Sequence, residues 1–207
     1  MNAIPYIQEA YKNKKWAFVS DYARLEVVYK YGGIYFDTDV EVLKNFEELL
    51  YHKGYLAFEN TSDNKNQKMV NTGLGFAACK EDLIIKALMD DYKNLRFIID
   101  GQMDLTTCPE RNTKVLKKYG LQTNGMKQTV GNLIVYPLEN FCGYDVMNRH
   151  PVITDNTYTI HHYSGTWCEK KSTKEKLKHV MLFVVPQKIL GYKLYDRMRA
   201  RWRGFGD

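Results

Sequence analysis

The chain has 207 residues, 44% apolar and 26% charged, a composition typical of one globular domain. Its net charge of +6 lies in the tail: residues 1–167 hold 19 basic and 20 acidic residues, whereas residues 168–207 hold 11 and 4. The near-neutral body argues against nucleic-acid binding, and no apolar run reaches the roughly 18 residues of a membrane span.

The four cysteines are far apart and form no C-x-x-C pair, which argues against a zinc site or a disulfide framework and favours a reduced, cytoplasmic setting. They are Cys79, Cys108, Cys142 and Cys168. The first residues lack a basic segment followed by an apolar stretch, so no secretory signal is expected.

Two helices are predicted first in the chain. One spans residues 4–14, and the second begins at Ser20 as N-cap and ends near Tyr31, before two glycines. A short β-rich run, residues 34–36, follows and is predicted to be a buried strand. It ends in Asp-Thr-Asp, at the position where open α/β sheets place ligands.

Short strands and helices then alternate, which predicts an α/β layered fold. The predicted strands are 40–43, 55–58, 75–78, 133–136 and 158–161. The predicted helices are 46–51, 81–92 and 109–119, with the apolar side of the second formed by Leu83, Ala87, Leu88 and Tyr92. Residues 61–68 are polar and predict a loop.

Asp37 and Asp39 are the first candidates for chemistry. Carboxylates one residue apart on an extended strand point to opposite sides, so both reach one ion only if the chain turns there. Carboxylates are ligands for Mg²⁺ and Mn²⁺, which keep open positions for phosphate oxygens. The D-x-D pattern alone is weak, because it also occurs in solvated turns.

Asp21 and Arg24 lie three residues apart on the second predicted helix and share a face. One interpretation is an exposed ion pair. The other is a guanidinium directed at the D-x-D segment, where it would grip a donor sugar or a phosphate in two-pronged fashion.

Four ordered motifs carry a family resemblance: S-D-Y-A-R (20–24), Y-G-G-I-Y-F-D-T-D (31–39), N-T-G (71–73) and H-H-Y-S-G-T-W (161–167). Together they resemble the DXD-containing, sugar-binding glycosyltransferases of family 32, which include capsular polysaccharide enzymes and yeast mannosyltransferases. The resemblance implies an α/β fold of the GT-A type, a UDP- or GDP-sugar donor, a saccharide acceptor, a divalent metal and retention of configuration.

The resemblance also implies roles for individual residues. Asp39, Asp37 and His162 would hold Mn²⁺ or Mg²⁺, and the imidazole favours Mn²⁺. Asp37, Asp39 and Arg24 would carry the catalysis. The donor would be bound by Asp21, Arg24, Tyr35, Asp37, Asn71, Ser164, Thr166 and Trp167. We find no carboxylate that serves as a nucleophile, so front-face transfer is the expected route. His161 and His162 alternate on a strand, so one of them would be a core or surface residue, and His162 is preferred over His161 as the ligand.

Relatives begin with a strand, a helix and a second strand before the first motif, so the chain resembles an N-terminally truncated member. A non-catalytic remnant that binds sugar nucleotide or saccharide is therefore the alternative. Residues 1–168 are predicted to form the catalytic domain, and residues 169–207 a basic amphipathic helical tail. That tail would either lie on an anionic membrane surface, at its inner face, or pack on the domain.

Overall fold

The computed structural model describes residues 4–60, 68–145 and 150–163. Of two compact units, the one formed by residues 1–144 and 151–164 contains the architecture below; the other, 145–150 and 165–207, lies almost entirely outside the described residues. The tail prediction therefore has no structural counterpart here.

Helices and short strands alternate along the described chain. The helices are α1 (Pro5–Lys12), α2 (Trp16–Tyr31), α3 (Glu47–Leu50), α4 (Leu83–Tyr92), α5 (Cys108–Lys117) and α6 (Leu138–Phe141), with a 3₁₀ turn at Thr72–Leu74. The strands are β1 (Gly33–Tyr35), β2 (Val40–Val42), β3 (Gly54–Asn60), β4 (Lys68–Val70), β5 (Phe76–Ala78), β6 (Ile98–Ile99), β7 (Gln102–Met103), β8 (Gln128–Val130), β9 (Leu133–Tyr136), β10 (Tyr144–Asp145), β11 (His150–Pro151) and β12 (Thr159–His161).

The central sheet is mixed, with the strand order β1-β5-β3-β9-β8 and β4 added against β3. β3 runs parallel to β9 and antiparallel to β5 and β4. A separate two-stranded ladder joins β2 to β12, with Val40 opposite His161. The predicted α/β class is confirmed, and this small ladder connects the segment after the D-x-D to the last described strand.

Both faces of the sheet are covered, because alternate side chains of β3 enter different cores. Leu56 and Phe58 belong to a large core that α1, α2, α4 and α5 share. Tyr55 and Ala57 belong to a smaller core with α3 and α6. The smaller core is rich in aromatic rings, such as Tyr55 and Phe141, whose centroids lie 4.6 Å apart.

Local signals explain most helix boundaries. Pro5 stands in the first turn of α1, and α2 ends where Gly32 adopts a positive φ of 68°. Asp82 caps α4 by accepting hydrogen bonds from the amides of Ile84 and Ile85. Thr107 precedes α5 and its amide donates to Glu110 at 2.9 Å, which is half of a capping box.

Three local predictions were wrong. Ser20 does not cap α2, since the helix begins at Trp16 and the Ser20 hydroxyl instead donates to the carbonyl of Ala17. The strand at 34–36 is not buried, because β1 is at the sheet edge and Ile34 is 37% exposed. Leu83 lies on the solvent side of α4, whose buried face includes Ile84 and Ile85.

Candidate metal and donor-sugar site

The Asp-Thr-Asp segment forms a turn between β1 and β2. The amide of Val40 donates to the carbonyl of Asp37 at 3.1 Å, so the chain reverses where the two carboxylates stand. This turn removes the obstacle that an extended strand would present, and Asp37 and Asp39 can face one ion. The backbone amide of His162 donates to the carbonyl of Asp39 at 3.0 Å and attaches the turn to β12.

His161 completes a group of three metal-ligating side chains with Asp37 and Asp39. One potential ligand atom from each lies within 4.8 Å of the others. The Nε2 atom of His161 is 3.3 Å from Oδ1 of Asp39. Its Nδ1 atom is buried and has no hydrogen-bond partner among the described residues, which leaves a nitrogen lone pair or proton to be satisfied.

The structure brings His161, and not the predicted His162, to the two aspartates. His161 is the last residue of β12 and is 7% exposed, whereas His162 follows the strand and its side chain is 45% exposed. His162 Nε2 instead lies 2.9 Å from Oε2 of Glu41. Since successive side chains of an extended chain point to opposite sides, only one of two adjacent histidines can face the turn.

Arg24 lies beside the aspartates, buried on the third turn of α2. Its Nη2 atom is 2.8 Å from Oδ1 of Asp21 and 3.5 Å from Oδ1 of Asp37. Its Cζ atom lies 5.4 Å from the centre of the Tyr35 ring, and the Tyr35 hydroxyl donates to Asp37 at 2.9 Å. The interpretation as an exposed ion pair is therefore wrong, because this guanidinium is buried against the D-x-D turn.

Burial and charge shift the pKa values in this group. Burial raises the pKa of Asp21 to about 6, although the Arg24 guanidinium opposes the change. Burial lowers the pKa of Arg24, but the charges of Asp21 and Asp37 outweigh it, so the pKa lies above its usual value. Burial lowers the pKa of His161 against the opposing charges of Asp39 and Asp37. Burial raises the pKa of Tyr35 to about 12.

Asn71 and Gly73 form a wall of the group. The Asn71 side chain accepts a 2.6 Å hydrogen bond from the Gly73 amide. A Cβ atom at Gly73 would lie 2.7 Å from Oδ2 of Asp37 and 2.9 Å from Nη1 of Arg24, so a larger residue there would displace one of these two side-chain ends. The predicted Asn71 therefore stands next to the D-x-D turn.

Glu59 and Tyr163 extend this wall and were missed by sequence reasoning. Oε2 of Glu59 accepts hydrogen bonds from Nδ2 of Asn71 at 2.8 Å and from the Tyr163 hydroxyl at 3.2 Å. Burial raises the pKa of Glu59 to about 7. The sequence signal was Glu59 itself, a charged residue that directly follows the apolar run 55–58. A charged residue there is unusual unless it has partners.

The structure thus assembles most of the predicted residues. It gathers Asp21, Arg24, Tyr35, Asp37, Asp39 and Asn71, adds His161, and sets the His162 side chain apart. Ser164, Thr166 and Trp167 lie outside the described residues. A group of side chains that could hold a divalent ion, beside a buried guanidinium, suits a diphosphate, because the ion and the guanidinium would both place positive charge opposite phosphate oxygens.

Residues 1–56 match the family model described as the glycosyltransferase sugar-binding region containing a DXD motif. The matched segment contains Asp21, Arg24, Asp37 and Asp39. No curated protein matches the chain. The match covers the first 56 of the 207 residues, and over that segment it agrees with the family and the class of enzyme that the motifs indicated.

Proposed function

We propose that the protein transfers a sugar from a UDP- or GDP-activated donor to a saccharide acceptor, with a divalent metal ion and with retention of configuration. The observation that carries the proposal is the group Asp37, Asp39 and His161 beside the buried Arg24, inside and next to the family segment. The resemblance to capsular polysaccharide enzymes and yeast mannosyltransferases suggests a role in cell-surface polysaccharide synthesis, at the cytoplasmic side.

Asp37, Asp39 and His161 fit a divalent ion. Two carboxylates and one imidazole are ligands that Mn²⁺ accepts well and that Mg²⁺ accepts less readily. Nε2 of His161 lies 3.3 Å from Oδ1 of Asp39, so this nitrogen is the one positioned to share an ion with the aspartates. A bound ion would supply Lewis-acid stabilisation of the negative charge on the departing diphosphate.

The donor-binding groups follow from the same geometry. Arg24 is fixed by Asp21 and stacked on Tyr35, so its remaining guanidinium donors are oriented without further loss of side-chain freedom. We assign these donors to the diphosphate or the donor sugar, where charge or hydroxyl groups need them. Asn71 keeps one amide proton beyond its bond to Glu59, and we assign it to a sugar hydroxyl.

Retention calls for either a covalent carboxylate intermediate or attack on the same face as the leaving group. The carboxylates of Asp21 and Asp37 are held by Arg24 and Tyr35, and Asp39 belongs to the metal group. Glu59 is the remaining carboxylate of this region, and burial raises its pKa to about 7, so it is partly protonated at neutral pH and a poor nucleophile. We therefore favour front-face transfer. A glycosyl-enzyme adduct trapped with a fluorinated donor and found by mass spectrometry would contradict this route.

The test is calorimetry of the purified chain with UDP-sugars and GDP-sugars, with and without Mn²⁺ or Mg²⁺. We expect binding that requires the metal and is lost in Asp39→Ala. The neighbouring histidines provide a matched pair: His161→Ala should weaken Mn²⁺ binding at least 10-fold, since each ligand contributes strongly to affinity, and His162→Ala should not.

The opposite result for the two histidines would place the ion at His162 and Glu41. Metal-dependent donor binding without any product on a panel of saccharide acceptors would favour the remnant that only binds. No binding of any donor would contradict the proposal.

The tail is assigned from sequence alone. We propose that residues 169–207 attach the catalytic domain to an anionic membrane surface through their excess of basic residues. Flotation with anionic vesicles should then fall with added salt and disappear when residues 173–207 are deleted. Among the described residues, no helix is long and apolar enough to cross a membrane.

A further inference from the structure

A closed ring of neighbouring residues surrounds the D-x-D turn. Starting from Asp37, each member contacts or closely approaches the next. The ring is closed by the D-x-D turn, which joins Asp39 to Asp37. In order, its members are Asp37, Gly73, Asn71, Glu59, Tyr163, His161 and Asp39. Glu59 stands opposite the D-x-D in this sequence of contacts.

Glu59 is a carboxylate whose two oxygens differ. Oε2 accepts both hydrogen bonds, from Asn71 and from Tyr163. Oε1 makes no hydrogen bond to any described residue, and it is not among the polar atoms sealed from solvent. One oxygen therefore orients the group, while the other stays open to a ligand.

A half-buried carboxylate with no cation beside it costs free energy unless its hydrogen-bonding capacity is used. The described side chains that hold Glu59 are both neutral, an amide and a phenol. A further partner of Oε1 would reach the ring from outside. The ionised carboxylate disfavours phosphate by its charge, whereas a hydroxyl can donate to the ionised form or accept from the protonated form.

We propose that Oε1 of Glu59 binds a hydroxyl of the transferred sugar, so that Glu59 selects donors by the position of that hydroxyl. The inference rests on the proposed function, since the donor must occupy the metal group for its sugar to meet this residue. Asn71 and Tyr163 act as positioning residues, because they fix the carboxylate through Oε2. Glu59 does not bind the nucleoside diphosphate part of the donor.

The experiment compares a nucleoside diphosphate with its sugar-bearing form, in the presence of Mn²⁺, on wild type and Glu59→Gln. The variant keeps an oxygen for Asn71 and Tyr163 but presents an amide in place of Oε1. We expect unchanged affinity for UDP or GDP and a 10- to 100-fold weaker affinity for the sugar nucleotide, the effect of losing a hydrogen bond to a charged group.

Glu48→Gln is the matched control, because Glu48 also accepts a tyrosine hydroxyl, that of Tyr158 at 3.2 Å, and belongs to no ring member's contacts. It should leave both affinities unchanged. If Glu59→Gln does not fold, Tyr163→Phe loosens the carboxylate without removing it, and should weaken only the sugar nucleotide, by a few-fold.

The outcomes separate the two proposals. If the folded Glu59 variant loses affinity equally for the nucleoside diphosphate and the sugar nucleotide, or loses affinity for neither, the role of Glu59 is overturned. The proposed function is then left intact. A wild type that binds neither ligand would overturn both. With the donor identified, a deoxy-sugar analogue lacking the selected hydroxyl should bind wild type as weakly as the normal donor binds Glu59→Gln.

Discussion

Two buried arginines occupy similar local settings and have different surroundings. Arg24 contacts Asp21 at 2.8 Å and lies over one tyrosine ring. Arg111 contacts Asp104 at 2.5 Å, with its Cζ atom 5.0 Å from the Tyr6 ring centre and 5.9 Å from that of Tyr92. Both are more than nine-tenths buried.

The difference lies in the balance of charge. Arg111 has one carboxylate partner and lies against aromatic rings of the large core, so the pair is neutral, although its Nε atom has no hydrogen-bond partner among the described residues. Arg24 adjoins Asp21 and Asp37, and Asp39 stands in the same turn, so the acidic groups outnumber the guanidinium. An excess of partly buried negative charge favours the binding of a cation. A buried arginine therefore indicates a binding site only when its neighbours leave charge unbalanced.

The largest expected effect is on turnover in Arg24→Met. Removing a preorganised donor that faces the developing charge should lower kcat/KM about 1,000-fold, or about 4 kcal/mol. Product formation by the folded variant, with the donor found by calorimetry, measures the loss. Arg111→Met is the control and should keep wild-type turnover per folded molecule. Comparable loss of turnover in both variants would remove the distinction between the two arginines.

The next effect is on stability in Arg111→Met. The substitution leaves Asp104 without its partner and breaks the packing between two tyrosine rings, so the free energy of unfolding should fall by about 2–4 kcal/mol. Urea denaturation followed by circular dichroism measures it. If Arg111→Met lowers the free energy of unfolding less than Arg24→Met does, Arg111 is not the arginine that mainly stabilises the fold.

The third effect is a pH dependence from Glu59. Its pKa is raised by burial from 4.5 to about 7 in the folded chain. The folded state therefore binds more protons between these values, and this contribution to stability is complete below about 4.5 and is lost as pH rises to about 7. Between pH 7 and 5 wild type should gain about 1–3 kcal/mol relative to Glu59→Gln. Parallel curves for the two proteins would show that the carboxylate is not buried.

The smallest effect is expected for Gly73→Ala. The added Cβ would lie 2.7 Å from Asp37 and must displace that carboxylate or Arg24, at a cost of about 1–2 kcal/mol. Mn²⁺ affinity should fall with it. Gly101→Ala is the control: open space surrounds it but its φ is positive, so stability should fall through backbone strain while Mn²⁺ affinity is kept.

The sequence predicted what depends on local pattern. Helices with strong periodicity and the strand at 133–136 were found, and so were Asp37, Asp39 and the Asp21–Arg24 pair. The errors came from tertiary context. Which of two adjacent histidines faces the turn depends on the pairing of β12 with β2, and no local pattern contains that register.

The same reason explains the missed residues. Glu59 became recognisable only when β3 brought it to Asn71 and Tyr163, partners distant in sequence. Short strands such as β4 and β8 lack the length for a clear alternation and were not predicted. The edge position of β1 was likewise invisible, because the order of strands in a sheet is a property of the whole fold.

The three-residue ladder between β2 and β12 also orders events in time. It joins the turn to a histidine over a hundred positions later, across nearly the whole described chain. Closing so long a loop costs conformational entropy, and a three-residue ladder offsets it with few contacts. We therefore expect this ladder to form late in folding and to open early in unfolding. The site would be assembled last, after the main sheet. A nascent chain that ends before residue 159 could have its cores in place and still be unable to bind the ion.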